Sequence, residues 1–202
     1  MEHARGDEPS RDNAREKSAH RGVGDREGQV RTRLGTACRV VLPSLLLVIA
    51  LRVLLVGVYV IPTGSMVPTI MPGDFIPGEK ASVRAGAPAI GDVVTFESPE
   101  EACTTLVKRV VATEGQVVDL RDGMLFVDGM RLWEPYAEGS TLPASDSAVD
   151  YPHMVAEGCV WVMGDNREAS RDSRFFGDVP TSSVSSRAVW VYWPPEDAGA
   201  VR

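Results

Sequence analysis

Histidine and lysine, two side chains that can supply a neutral base near pH 7, are scarce in this chain of 202 residues. The histidines are His3, His20 and His153, and the lysines are Lys17, Lys80 and Lys108. The first two histidines and the first lysine lie in a polar N-terminal stretch. A histidine-based triad would therefore depend on His153, whose polar surroundings are typical of a solvated loop.

The motifs of several enzyme classes are also missing. No His-Glu-x-x-His, Gly-x-Ser-x-Gly or Walker loop occurs, so zinc peptidase, α/β-hydrolase and P-loop chemistry have no support. The cysteines are too few for a disulfide scaffold and lack the close pairing of a zinc site. A single bridge between Cys103 and Cys159 is possible if that part of the chain faces an oxidising compartment.

Aromatic residues are absent from the beginning of the chain. All thirteen lie at position 59 or later, and residues 1–33 contain no Ile, Leu, Phe, Trp or Tyr. Such a segment cannot bury a core, so we expect residues 1–39 to be a disordered tail. Residues 53–202 hold eleven Lys and Arg against twenty-one Asp and Glu, which argues against nucleic-acid binding.

A long apolar run, VVLPSLLLVIALRVLLVGVYVI, occupies residues 40–61 and is interrupted only by Ser44 and Arg52. As a helix it would measure about 33 Å, enough to cross a hydrocarbon layer of about 30 Å. A buried core helix would have a polar face, and a cleaved secretory signal would begin nearer the N-terminus. The run therefore predicts a membrane anchor over residues 40–60.

The charges beside this run predict its orientation. Arg31, Arg33 and Arg39 precede it and nothing comparable follows closely, so the positive-inside rule places the tail in the cytoplasm and residues 61–202 outside.

Arg52 leaves two alternatives, because a charge at the centre of a spanning helix is costly. Either the helix tilts and Arg52 snorkels, or the helix ends near Arg52 and Val53–Ile61 is extended at the outer interface. In the second case part of residues 34–39 would complete the span.

Beyond residue 62, short runs rich in β-branched residues alternate with Gly, Pro and Asp, a pattern typical of an all-β or mainly β domain. Asp122-Gly123 and Asp128-Gly129 predict tight turns around a hairpin strand. Residues 134–157, with few bulky apolar side chains, predict a surface loop. The predicted strands are 92–98, 105–113, 116–120, 124–129, 159–164 and 188–193.

A serine in a proline- and glycine-rich segment follows the anchor. In Ile61-Pro62-Thr63-Gly64-Ser65-Met66-Val67-Pro68-Thr69-Ile70 the irregular backbone would expose the Ser65 hydroxyl, although the same residues are ordinary turn formers. A nucleophilic serine needs a base, which with histidine scarce would be a lysine. Lys80 lies among small and polar residues and is typical of a solvated surface charge.

Lys108 lies in a predicted strand whose alternation places it on one face with Leu106 and Val110. Burial among apolar residues would lower the pKa of its ammonium. The alternative is that Lys108 and Arg109 form a charged pair on an edge strand, which discourages aggregation. A third polar cluster, residues 163–177, indicates a structured turn with an Asp–Arg network.

Together these segments resemble the type I signal peptidases, a family of membrane-anchored Ser/Lys endopeptidases. The resemblance covers the anchor and most of residues 61–193, in the family's order: PTGSMVPTI followed by GD, then GDVVTF, LVKRVVATEG and GDNREASRDSRFFG. The departures, ATEGQ at 112–116 and Glu168-Ala169, leave the proposed catalytic positions intact. The implied fold is mainly β, an N-terminal transmembrane helix followed by an antiparallel, barrel-like catalytic domain over residues 61–202.

The resemblance also implies roles for particular residues. Ser65 would be the nucleophile and Lys108 the general base, with the Thr63 hydroxyl and the Ser65 N–H in the oxyanion hole. Ser170 would hydrogen-bond Lys108, and Asp172 and Arg174 would form a supporting pair. No metal or organic cofactor would be needed. Shallow pockets for small side chains would be built from Ile61, Pro62, Met66, Ile70, Leu106 and Val107.

The implied function is signal peptidase activity, removing signal peptides from exported preproteins after small-x-small motifs, by a single-pass protein of the plasma membrane. Its partners would be those signal peptides, the lipid bilayer and the nearby protein translocation machinery. One alternative is a catalytically silent, membrane-tethered binding module on the same fold. Another is a self-cleaving Ser/Lys repressor, against which the anchor and the acidic charge argue.

Three aromatic residues near the C-terminus, Trp190, Tyr192 and Trp193, could rest on lipid as interfacial aromatics do. Strand alternation predicts that at least one of them belongs to the core instead.

Overall fold

The computed structural model of this protein describes residues 39, 41–49, 56–81, 83 and 86–201. Residues 39 and 41–49 are helical and exposed. None of the described residues belongs to a helix that is long and apolar enough to cross a membrane. The tail predicted over 1–39 lies almost wholly outside the described residues, as do residue 40 and residues 50–55 of the predicted anchor, Arg52 included.

Thirteen strands are present among the described residues. They are β1 Val56–Val60, β2 Phe75–Glu79, β3 Val93–Glu97, β4 Thr105–Thr113, β5 Val117–Arg121, β6 Met124–Val127, β7 Met130–Arg131, β8 His153–Met154, β9 Cys159–Met163, β10 Val179–Pro180, β11 Val184–Ala188, β12 Trp190–Val191 and β13 Gly199–Ala200. One short α-helix, Ser173–Phe176, and two 3-10 turns, Arg167–Ala169 and Thr181–Ser183, lie between the later strands.

The largest sheet carries the candidate site. Its seven strands follow the order β1-β2-β11-β3-β4-β9-β10, so β4 lies in the interior between β3 and β9. A second sheet has the order β7-β6-β5-β8, and β12 pairs with β13. Neighbouring strands are antiparallel throughout these ladders, so the prediction of a mainly β, antiparallel domain is confirmed.

The segment just before the serine-containing turn is extended. Val56–Val60 pairs antiparallel with Phe75–Glu79 along its whole length. Valine favours extended backbone, and the ladder supplies partners for the backbone amides. The extended alternative for Val53–Ile61 is therefore confirmed over Val56–Val60, and a helix that continues to residue 60 is excluded.

Five of the six predicted strands agree with observed strands to within two residues. The sixth, 188–193, is divided between the end of β11 and the separate strand β12. The two Asp-Gly turns are confirmed, since Asp122, Gly123, Asp128 and Gly129 have φ of 51°, 74°, 52° and 78°. Positive φ at both central residues is the type I′ geometry that joins antiparallel strands.

The segment predicted as a surface loop is irregular through residue 152 but is not simply solvated. His153 begins β8, which pairs with β5, and its Nε2 lies 2.9 Å from Asp178 Oδ1. Its ring also packs against Trp161, with 4.7 Å between centroids. The prediction of a solvated loop histidine is therefore wrong, because the second sheet recruits this residue into its edge.

The possible Cys103–Cys159 bridge is not formed. Both cysteines are free thiols, Cys103 in an exposed turn and Cys159 half-buried at the start of β9.

The three C-terminal aromatics are partly exposed, at 47% for Trp190, 48% for Tyr192 and 53% for Trp193. Val191, between the first two, is the buried residue of this strand. The expectation that one of the aromatics belongs to the core is therefore wrong, because the inward-facing position of β12 is occupied by valine.

Candidate active site

Ser65 and Lys108 are in hydrogen-bond contact. Lys108 Nζ lies 2.7 Å from Ser65 Oγ, and the two residues expose only 3% and 8% of their surface. Ser65 belongs to the irregular turn that follows β1, and Lys108 to the interior strand β4. A serine hydroxyl beside a buried amine is the contact that activates a nucleophile by an adjacent base.

Burial lowers the pKa of Lys108 from 10.5 to about 8. The main cause is that the buried ammonium loses its hydration. The carboxylates of Asp172 and Asp165 raise the pKa and the Arg174 guanidinium lowers it, but these effects are smaller. Within the described part of the chain no carboxylate forms a salt bridge with Lys108.

The alternative of a charged edge-strand pair is wrong for Lys108 and Arg109. Both are buried, at 3% and 1% exposed, because β4 has a neighbour on each side. Their side chains leave the strand toward different partners, Ser65 for the lysine and Asp165 for the arginine. Lys80, by contrast, is a half-buried residue at the end of β2.

The serine turn is held by its own apolar side chains and by backbone hydrogen bonds. Ile61, Met66 and Ile70 expose 4%, 0% and 0% of their surface and pack in one cluster. The Ile70 N–H donates to the Met66 carbonyl at 2.9 Å, and the Ile61 N–H donates to the Asp74 carbonyl at 2.9 Å. Ser65 is therefore presented by a packed turn rather than by a free loop.

An apolar groove of about 310 Å³ runs alongside the pair Ser65 and Lys108, here called the dyad. One wall is formed by the end of β1 and the turn that follows it, and the other by the first half of β4. Five of the six residues predicted to form shallow pockets line it, whereas Ile70 lies in the buried cluster behind it. Thr63, predicted for the oxyanion hole, is an exposed residue of the groove wall. The lining residues are Val58, Tyr59, Val60, Ile61, Pro62, Thr63, Ser65, Met66, Thr104, Thr105, Leu106, Val107 and Lys108.

Ser170 lies near the dyad but does not make the bond that the resemblance implies. Its Oγ is buried and has no hydrogen-bond partner among the described residues, while Lys108 Nζ donates to Ser65. A Cβ added to Gly164 would lie 2.2 Å from Ser170 Oγ and 2.4 Å from the Ser65 carbonyl oxygen. Both serines therefore crowd Gly164, and only a residue without a side chain fits there.

Asp172 and Arg174 form the predicted pair. Arg174 Nε donates to Asp172 Oδ1 at 2.8 Å, and both residues are buried. Asp172 also accepts from the Gly164 N–H at 3.0 Å and caps the short helix Ser173–Phe176. The pair thus holds the backbone that passes between Ser65 and Ser170.

A second buried ion pair joins β4 to the same loop. Arg109 Nε and Nη2 donate to Asp165 Oδ1 and Oδ2 at 2.9 and 2.7 Å, and the Thr69 hydroxyl donates to Oδ2 at 2.5 Å. The guanidinium carbon lies 3.9 Å from the centre of the Tyr136 ring, which adds a cation–π contact. This network connects the serine turn, β4 and the irregular segment after β7.

A third pair secures the other side of the loop. Arg167 is 2% exposed, donates to Glu134 Oε2 at 2.9 Å and to Thr141 Oγ1 at 2.6 Å, and also pairs with Glu134 Oε1. Its Nε donates to the Gly164 carbonyl at 3.0 Å. The irregular segment 134–141 is therefore pinned against the candidate site.

Sequence reasoning found the acidic and basic residues of this cluster but not their partners. Asp165 and Arg167 fall within the predicted Asp–Arg network, yet their partners Arg109 and Glu134 are 56 and 33 residues away along the chain. No local spacing could link them. The available signal was the cost of burying charge, which requires a counter-charge somewhere in the fold.

A turn-borne serine beside a buried lysine, on an antiparallel β scaffold with an apolar groove, has the geometry of the Ser/Lys hydrolases. Comparison with protein families matches residues 34–193 to the family described as signal peptidase, peptidase S26. A probable signal peptidase I-1 of Synechocystis sp. is 33% identical over 161 residues, covering 75% of this chain and 78% of the relative. The chain belongs to the signal peptidase family, which confirms the resemblance seen in its motifs.

Two further relatives show the range of the family. The signal peptidase I of Mycobacterium tuberculosis H37Rv is 35% identical over 199 residues, covering 71% of this chain and 67% of the relative. A probable thylakoidal processing peptidase of Arabidopsis thaliana is 37% identical over 142 residues, covering 67% of this chain. This chain spans only 37% of the length of the Arabidopsis protein.

Proposed function

We propose that this protein is a membrane-bound signal peptidase, a serine endopeptidase that removes signal peptides from exported preproteins after small-x-small motifs. The observation that carries the proposal is the 2.7 Å contact between Lys108 Nζ and Ser65 Oγ beside an apolar groove. The names of the relatives from Synechocystis and Mycobacterium tuberculosis support the same activity.

In the proposed acylation step, Ser65 Oγ attacks the scissile carbonyl carbon while neutral Lys108 accepts the hydroxyl proton. The tetrahedral intermediate then collapses, and the Lys108 ammonium donates its proton to the leaving amine. The signal peptide remains as an ester on Ser65. A water molecule, deprotonated by Lys108, attacks that ester, and the departing Ser65 oxygen takes the proton back.

The oxyanion of each tetrahedral intermediate would be held by the Ser65 N–H and the Thr63 hydroxyl. Thr63 lies two residues before the nucleophile on the groove wall, which supports its assignment. Donors fixed in advance are effective because they do not reorganise when the negative charge develops.

The groove supports the preference for small side chains. Ile61, Met66 and Leu106 line it with apolar side chains, against which a small apolar side chain could pack. Ser170, Asp172 and Arg174 would support the dyad, the serine from the far side of Gly164 and the ion pair through the Gly164 backbone.

The proposal includes the membrane topology predicted from the sequence. The tail before the anchor would be cytoplasmic, the anchor would draw in part of residues 34–39 and end near Arg52, and residues 61–202 would lie on the outer side of the plasma membrane. There the groove would meet signal peptides still in the bilayer, close to the translocation machinery. Protease treatment of intact cells tests this arrangement, because it should degrade the larger part and spare the tail.

The central experiment measures cleavage of a purified preprotein by the full chain in detergent. We expect Ser65→Ala and Lys108→Ala each to abolish cleavage, while circular dichroism shows that both variants remain folded. Lys80→Ala is the matched control, because this half-buried lysine lies outside the groove lining, and it should retain wild-type activity.

The outcomes separate the hypotheses. Retention of full activity by either dyad variant would contradict the proposed function. A wild-type protein that binds the preprotein but does not cut it would favour the catalytically silent binding module.

A further inference from the structure

Asn166 contacts the backbone on both sides of the candidate nucleophile. Its side-chain Nδ2 donates to the Gly64 carbonyl at 3.2 Å, and its backbone N–H donates to the Ser65 carbonyl at 3.1 Å. One residue of the polar loop therefore holds two consecutive carbonyl groups of the serine turn. The Gly64 carbonyl also accepts from the Val67 N–H at 3.3 Å.

The first of these contacts controls the direction of an N–H group. The Gly64 carbonyl and the Ser65 N–H belong to the same peptide unit, which is planar, so in the trans form the two groups point in opposite directions. An amide that grips the carbonyl therefore fixes where the N–H points, which is away from Asn166. Hydrogen bonding to the carbonyl also polarises the peptide and strengthens its N–H as a donor.

The orientation of the Asn166 amide is determined by its second contact. Its Oδ1 accepts from the Ala169 N–H at 3.3 Å and caps the 3-10 turn Arg167–Ala169. A reversed amide would place NH₂ against that N–H and an oxygen against the Gly64 carbonyl, which are both repulsive. The donor of the side chain is therefore directed at the serine turn.

Asn166 is held between two buried ion pairs. Asp165, the preceding residue, is fully buried and paired with Arg109, and Arg167, the following residue, is 2% exposed and paired with Glu134. The two ion pairs hold the backbone of Asn166 in place, so its side-chain amide is held against the Gly64 carbonyl. Such rigid support is what a precisely oriented donor group requires.

We propose that Asn166 is a positioning residue for oxyanion stabilisation: it fixes the Gly64–Ser65 peptide so that the Ser65 N–H is aimed at the oxyanion of the tetrahedral intermediate. This inference rests on the proposed function. Asn166 acts through the peptide and touches neither the substrate nor Lys108. Its contribution is therefore made in the transition state and not in substrate binding.

The test uses the full chain in detergent and an internally quenched peptide that spans a small-x-small site. Asn166→Ser keeps an oxygen that can cap the turn but is too short to reach the Gly64 carbonyl. Asn166→Asp keeps the size and the cap but has no donor. Loss of an oxyanion donor costs about 100- to 1000-fold in kcat, so we expect a misaimed one to cost about 10- to 100-fold, with KM within about twofold of wild type.

Two further readouts distinguish positioning from general damage. Ser65 Oγ attacks the carbonyl carbon of a peptide aldehyde that ends in alanine, and the serine proton moves to the former carbonyl oxygen to give a hemiacetal. The matching peptide alcohol forms no adduct. We expect both variants to lose affinity for the aldehyde in parallel with kcat and to keep their affinity for the alcohol. For Asn166→Ser the pH dependence of kcat/KM should stay at the wild-type position, because this change adds no charge near Lys108.

Glu168→Ala is the matched control, since Glu168 lies on the same 3-10 turn but its side chain accepts from the Ser140 N–H instead. It should leave kcat and aldehyde affinity unchanged. Wild-type kcat in both Asn166 variants, or equal losses for aldehyde and alcohol, would overturn the inference, as would a shifted pH profile in Asn166→Ser. Absence of cleavage by the wild-type protein would contradict the proposed function instead.

Discussion

Lys108 and Arg109 are consecutive residues of β4, both cationic and both buried, yet their surroundings differ. Arg109 forms two hydrogen bonds with the Asp165 carboxylate, at 2.9 and 2.7 Å, and lies over the Tyr136 ring. Lys108 meets the neutral Ser65 hydroxyl at 2.7 Å. Strand alternation separates the two side chains, so one strand supplies both a permanent charge and a base that can lose its proton.

The difference shows how one element can combine structural and chemical tasks. A buried cation with a bidentate carboxylate keeps its charge and links distant segments. A buried cation without a salt bridge has a lowered pKa, because the loss of hydration outweighs the attraction of more distant carboxylates. The Arg109 network supports the loop and the turn around Ser65 and Lys108, and the Lys108 environment lowers the pKa of the proposed base.

The largest effect is expected when Lys108 is replaced by a cation that cannot lose its proton. Lys108→Arg should lower kcat/KM by about 10⁴-fold, because a guanidinium stays protonated and cannot act as general base. The measurement is cleavage of the quenched peptide by the full chain. Lys80→Arg is the control, and a Lys108→Arg variant within tenfold of wild type would contradict the base assignment.

The next largest effect is expected in the stability of the fold, which depends on the Arg109–Asp165 ion pair. Arg109→Met should lower the free energy of unfolding by about 3 to 5 kcal/mol, because it leaves the buried Asp165 carboxylate without its counter-charge. Urea unfolding measures the loss. Adding Asp165→Leu should recover much of it, and a single variant that costs under about 1 kcal/mol would show that the pair is not a structural link.

Replacing Lys108 by an apolar residue should raise the free energy of unfolding, whereas Arg109→Met lowers it. At pH 7 Lys108→Met should stabilise the protein by about 2 to 3 kcal/mol, because folding no longer requires a proton to leave or an ammonium to be buried. Between pH 8 and 10.5 the unfolded wild-type chain binds a proton that the folded chain has lost, so wild-type stability rises with pH across this window. The two proteins should converge above that range, and a pH-independent difference would contradict the lowered pKa.

The smallest effect is expected in the pH dependence of peptide cleavage by the wild-type protein. Because the pKa of Lys108 is about 8, kcat/KM should rise with pH through that value. About one tenth of the molecules carry the neutral base at pH 7, so the plateau should be about tenfold above the rate at pH 7. Asp172→Asn removes a carboxylate that raises this pKa and should move the profile to lower pH; a profile flat between pH 6 and 9 would contradict the assignment.

Much of the domain was predictable because its signals are local. β4 agrees with its predicted bounds, and the two Asp-Gly turns follow from residues that tolerate positive φ. β1 was left open between helix and strand, since an apolar valine-rich run fits both until its partner β2 is known. The shortest strands, β7, β8, β10, β12 and β13, have too few residues for any period to show.

The site was predictable in its residue types and less so in its contacts. Ser65 and Lys108 were singled out by the scarcity of bases and by strand alternation, and their 2.7 Å contact agrees with that reasoning. The implied Ser170–Lys108 bond is absent, and Ile70 lies behind the groove rather than in its wall. Such details depend on side-chain packing at the level of single ångströms, which no spacing along the chain encodes.

By itself the sequence determined the β pattern, the turns, the candidate nucleophile and the candidate base, because each follows from composition or from the period of a strand. Only the tertiary structure decided that Asp165 neutralises Arg109, that Lys108 has no salt bridge among the described residues, and that the Asn166 amide binds the Gly64 carbonyl. The physical reason is that burial and charge compensation depend on residues far apart in the chain. The burial of a side chain and the charges around it are set only when the strands and loops that carry those residues have packed together.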